Sequence, residues 1–94
     1  MELSSGQKVL GRYRIDLGLD IHSKHCVWRA LDLIQNRDVV VKGPRSDTSL
    51  NEDAEIYRII KEHQVYEYLK GTPHILEELD YDDKNHLLVL SYNP

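Results

Sequence analysis

The stretch NRDVVVKGPRS, Asn36 to Ser46, places a lysine where chemistry is plausible. Val39, Val40 and Val41 are β-branched and favour a strand buried on both faces. Lys42 follows them directly, and a cation is costly to bury without a partner. Gly43–Pro44 then stop the element. Further along the chain, Glu62 poses the mirror problem. On a helical wheel it is flanked by Ile59, Val65, Tyr66 and Leu69, within an apolar stripe broadened by Ile56 and Ile60. A carboxylate there also needs a partner. An ammonium–carboxylate pair between Lys42 and Glu62 answers both problems. The alternative is that each head group reaches water independently.

Other reactive residue types carry less. His22, His25 and Cys26 cluster in HSKHC, but a structural zinc site needs four ligands in paired spacings, and no second pair follows. DYDD, Asp80 to Asp83, lacks the glycine and distal glutamate of a calcium loop and reads as a solvated turn. Trp28 reads as a packing aromatic. No Ser/His/Asp or Cys/His arrangement can be argued from position alone.

Positioning Lys42 and Glu62 requires strands and a helix, and the chain supplies both. YRIDLGL (Tyr13–Leu19) alternates with the two-residue period of a half-buried strand. CVWRALDLI has strand character, QNR makes a short turn, and DVVVK is the next strand. From Glu52 to Gly71 the pattern is helical. Asn51 can cap it, Glu52, Asp53 and Glu55 suit its positive end, Lys70 lies in its last turn, and Pro73 blocks continuation. HILEELDYDDKNHLLVLSY then gives two strands around a polar turn at Asp82–Asn85. The order β-β-β-α-β-β predicts an α+β fold, a five-stranded antiparallel twisted sheet with one long helix packed on it. Residues 1–11 read as a flexible leader and 12–94 as one domain. One helix cannot cover both sheet faces, so the uncovered face is expected to meet water, a ligand or another domain.

Composition narrows the partners. At 94 residues, with 40% hydrophobic and 30% charged residues, the chain reads as one globular domain. Its net charge of −4 contains no basic block, which speaks against nucleic acid. No apolar run reaches membrane-spanning length, and the start lacks a signal-peptide pattern. Cys26 is alone and forms no internal disulfide, so a cytoplasmic or nuclear location is the expectation.

The segments RYRIDLG, VWRALD, VVVK, EHQVYEYL, TPHIL and LLVLSYNP, in this order and spacing, resemble the amino-terminal, ATP-binding lobe of eukaryotic-type protein kinases. The resemblance runs from Arg12 to Pro94. It implies that Lys42, matching the V-A-I-K lysine, holds ATP phosphates. It implies that Glu62 is the helix glutamate whose ion pair with Lys42 marks an active arrangement. Leu17 and Val27 would sandwich adenine from above, Val40 takes the place of the usual alanine, and Gly18 stands for the first glycine of the phosphate loop. Leu90 falls at the gatekeeper, and Ser91, Tyr92 and Asn93 at the hinge that bonds the adenine edge.

The chain also departs from that pattern. Asp20 replaces the second glycine of the phosphate loop, Ser23 is nearest the third, and extra residues precede Val27. Bulk and negative charge there, with the added methyl groups of Val40, predict weak or lost ATP binding. The H-R-D, D-F-G and A-P-E motifs do not occur, and magnesium would be held only by the other lobe. The 94-residue chain is therefore not expected to transfer phosphate by itself. The implied function is the ATP-binding part of a Ser/Thr-type protein kinase or kinase-like protein. The alternative is a free-standing degenerate lobe, a non-catalytic module that binds another kinase domain or self-associates through its exposed sheet face.

Overall fold

The computed structural model describes residues 3–18, 27–44, 52–73 and 77–92. The strands are β2 (Tyr13–Gly18), β3 (Val27–Asp32) and β4 (Arg37–Lys42) before the helix α1 (Glu52–Tyr68), and β5 (Glu78–Asp82) and β6 (Leu87–Ser91) after it. They join a short β1 (Lys8–Val9) in one sheet of order β1-β2-β3-β4-β6-β5, antiparallel at every pairing. The fold is α+β as expected, but the sheet has six strands rather than five.

The sixth strand comes from the segment read as a leader. Lys8 and Val9 pair with Arg14 and Tyr13 after a tight turn in which Leu10 and Gly11 both take positive φ, 53° and 63°. Two residues are too few to show a period, so their composition gave no signal. What holds them is tertiary: Val9 is buried, and the Ile15 amide donates to the Gln7 carbonyl at 2.8 Å.

The main core is the inside of the curled sheet. Val9, Tyr13, Ile15, Trp28, Ala30, Val39, Val41, Leu87 and Val89 pack there, each such large side chain contributing about 1.5–3 kcal/mol on burial. The face without the helix is thus covered by the sheet's own curvature. This corrects the expectation of an uncovered face, because twist lets a sheet close on itself. It also corrects the reading of a strand buried on both faces. Val39 and Val41 point inward and are fully buried, while Val40 faces outward and is half-buried.

On the outer face, Ile59 of α1 packs with Leu88 and Leu90, joined by Val40, Tyr66 and Tyr81. The helix backbone packs on β5 and β6 and not on β4. That narrow contact leaves Val65 54% exposed, against its place in the expected stripe. At about 240° round the helix from Ile59 it points away from the sheet. The helix also stops at Tyr68, placing Lys70 in the following turn, where Gly71 adopts a φ of 86°. Asn51 lies outside the described residues.

The β3–β4 and β5–β6 hairpin turns are built alike. Asp32 Oδ1 accepts the amides of Ile34 and Gln35, and Asp82 Oδ1 those of Lys84 and Asn85. Each turn closes on a residue with positive φ, Asn36 at 53° and His86 at 58°. An aspartate that bonds the amides ahead of it stabilises such a turn locally. Among the described residues, no helix is long and apolar enough to cross a membrane.

Candidate functional site

Two β-bulges decide which side chains share the outer face. In β2 the register shifts between Ile15 and Leu17, and in β5 between Glu78 and Asp80. Because strand side chains alternate, one extra residue reverses the face of all that follow. The result is two cross-strand rows. Arg29, Val40, Leu90 and Glu78 occupy successive register positions of one. Val27, Lys42, Leu88 and Tyr81 form the other.

Lys42 ends β4 beneath α1, where its Nζ donates to Glu62 Oε1 at 2.5 Å. The side chains are 26% and 22% exposed, so the pair is neither a surface contact nor a fully desolvated one. Arg58, one turn before Glu62, extends the charge chain. Its Nη1 lies 3.7 Å from Glu62 Oε2 and its Nε 3.4 Å from Glu55. Of the two readings open at the sequence level, the paired one describes this geometry. Tyr66 stands nearby, its hydroxyl pKa raised by burial first and by the Glu62 charge next, with Lys42 working against both.

The structure brings Val27, Val40, Lys42, Glu62 and Leu90 to one side of the sheet. Leu90 is buried beneath the helix with Ile59. Gly18 pairs with Trp28 at the end of β2. Ser91 follows Leu90, its amide donating to the Glu77 carbonyl at 2.8 Å and its hydroxyl accepting from the Glu77 amide at 3.0 Å. Asn93, Asp20, Ser23, His22, His25 and Cys26 lie outside the described residues.

Three polar contacts among the described residues had no place in the sequence reading. Arg29 Nη2 donates to Asp38 at 2.8 Å on the outer face, and the Tyr92 ring centroid lies 5.7 Å from the guanidinium carbon. Asp32 is fully buried and accepts two bonds from Arg12, each 2.8 Å, with Arg37 3.8 Å away. The Arg12 bond, with the two turn amides, outweighs burial and lowers the Asp32 carboxyl to about 2. That aspartate was legible: Trp28, Ala30 and Asp32 alternate, which puts its side chain on the core face. The third contact joins His63 to Glu78, with Nδ1 at 2.7 and 2.9 Å from the two carboxylate oxygens. It depends on the β5 bulge, which no sequence pattern announced.

His63, Glu67 and Glu78 could in principle offer three metal ligands within 4.8 Å of one another. A tetrahedral zinc would hold adjacent ligand atoms about 3.3 Å apart. The 2.7 Å approach of His63 to Glu78 is instead a hydrogen bond. Burial raises the Glu78 carboxyl, and the His63 bond opposes that rise. A pocket of about 220 Å³ lies alongside, lined by Tyr66, Glu67, Lys70 and Glu78 among others. A second, of about 180 Å³, opens between β1 and the β5–β6 turn at Leu10, Asp82 and Leu87. Neither borders Lys42.

No protein-family model matches the chain, and no curated protein matches it either.

Proposed function

We propose that this chain is a nucleotide-facing lobe of the protein-kinase type, in which Glu62 holds the Lys42 ammonium ready for the phosphates of ATP. The observation that carries the reading is the Lys42–Glu62 bond at 2.5 Å. It stands on the same outer face as Val40 and Leu90, in the neighbouring cross-strand row. A cation fixed by one carboxylate keeps its remaining donors free for a second anion, which is how a lysine serves as a phosphate holder. Val27 and Val40, half-buried on that face, would offer the apolar surface for a base. The roles assigned to Leu17, Gly18, Ser91 and Asn93 belong to the same proposal.

The test is thermal unfolding with increasing Mg-ATP, since a ligand that binds only the folded state raises its stability. Saturable stabilisation of the wild type, lost in Lys42→Met, is expected. No shift at millimolar nucleotide overturns the reading.

A second reading, a non-catalytic interaction module, draws on the outward side of α1. Tyr57, Val65 and Tyr68 are there 60%, 54% and 88% exposed. Self-association in sedimentation, lost in Tyr68→Ser, would favour it. A monomer at all concentrations would exclude a self-associating module.

A further inference from the structure

Glu62 and His63 are consecutive in α1, yet they grip different strands. Glu62 binds Lys42 on β4, and His63 binds Glu78 on β5. Strand β6 runs between those two, so the grips stand about 10 Å apart across the sheet. Beneath them, Lys42, Leu88 and Tyr81 form a single row. The Lys42 end of that row meets Glu62. At the Tyr81 end the His63 ring lies flat on the phenol, with centroids 3.9 Å apart and planes 7° from parallel. Ile59, fully buried, fills the middle against Leu88 and Leu90.

We propose that His63 is a positioning residue: by clasping Glu78 and Tyr81 it fixes the rotation of α1 and thereby holds Glu62 against Lys42. The helix backbone does not pack on β4, so among the described residues α1 meets that strand through side chains alone, in the ion pair and where Val40 joins the cluster of Ile59 and Tyr66. Its rotation must be set where it does pack, on β5 and β6. The clasp is also the stiffer of the two grips. An imidazole has two side-chain torsions and is held by hydrogen bonds and a ring stack, whereas Lys42 and Glu62 meet through long flexible chains. Successive helical residues point roughly 100° apart, so one rotation sets both side chains at once. Releasing His63 lets α1 roll and carries Glu62 away from Lys42. The inference deepens the nucleotide reading and rests on it for its functional consequence, while its geometry can be tested without nucleotide.

The experiment measures labelling of Lys42 by an amine-acetylating reagent, site by site, in the whole chain. Glu62→Gln serves as the reference for a released Lys42. In His63→Leu, which keeps apolar bulk over Tyr81 but cannot donate to Glu78, Lys42 labelling is expected to rise about threefold or more, as for coupled neighbouring groups. The exposed Lys8 and Lys84 are expected to be unchanged. His63→Arg, which restores a planar donor, is expected to return Lys42 to the wild-type rate. Wild-type labelling of Lys42 in a folded His63→Leu protein overturns the proposal, as does failure of Glu62→Gln to raise it. Should His63→Leu not fold, Glu78→Met decides by the same criterion. Absence of ATP binding would sink the nucleotide reading and leave this result standing.

Discussion

The Tyr13 hydroxyl donates to Asp80 Oδ2 at 3.1 Å, across 67 residues of chain. Tyr13 belongs to β2 and Asp80 to β5, the edge strand at the far end of the sheet order, so the bond spans the interior of the curl. Burial first and the Asp80 carboxylate second push the Tyr13 phenol up to about 12 from 10.0. A raised phenol pKa means the folded state holds its proton more tightly than the unfolded chain. The associated stability is complete below pH 10.0 and is lost as pH rises through about 12. Tyr13→Phe is expected to cost about 1.5–3 kcal/mol in urea unfolding at neutral pH, the value of a hydrogen bond to a charged acceptor. It should also flatten the alkaline loss of stability, and an unchanged alkaline limb would count against the bond.

Asp32 contributes to stability on the acid side, as does Asp82, whose carboxyl is also lowered. The Asp32 carboxyl falls to about 2 from 3.8, chiefly through the Arg12 bonds. A lowered carboxyl contributes stability that is present above pH 3.8 and lost as pH falls through about 2. Asp32→Asn leaves the Arg12 guanidinium without its charged partner and weakens the turn before β4. It is expected to destabilise by about 1.5–3 kcal/mol, the value of hydrogen bonds to a charged group, because the Arg12 left behind is 28% exposed and reaches water. Thermal unfolding between pH 5 and pH 2 should lose part of its pH dependence in this variant. Equal slopes in both proteins would refute the assignment.

Gly43 matters for space rather than for backbone freedom. A Cβ placed there would lie 2.6 Å from Leu87 Cδ2 and 3.6 Å from Trp28. Leu87 is itself fully buried, so relieving the clash means repacking it. Gly43→Ala is therefore expected to cost about 1–3 kcal/mol, the range for overpacking a tight core. Combining it with Leu87→Val should recover part of that loss, and equilibrium urea curves of the four proteins measure the coupling. Strict additivity would show that the clash is relieved elsewhere.

Element types were largely written in the sequence, because they follow from local periods. The alternations of Tyr13–Gly18 and Val27–Asp32 and the long helical pattern from Glu52 emerged where expected. The valines before Lys42 also marked a strand. The partners Lys42 and Glu62 were legible too, since each was a charge in an apolar setting, for which mutual pairing was one of two solutions. What the local pattern could not contain was curvature. Whether the face opposite the helix stays bare or rolls into a core depends on twist summed over six strands and on β1, whose two residues have no period of their own. Bulges at Asp16 and Leu79 likewise re-sort the faces, bringing Glu78 and Tyr81 together under His63. Those arrangements arise from contacts between segments far apart in the chain, so only the folded molecule decides them.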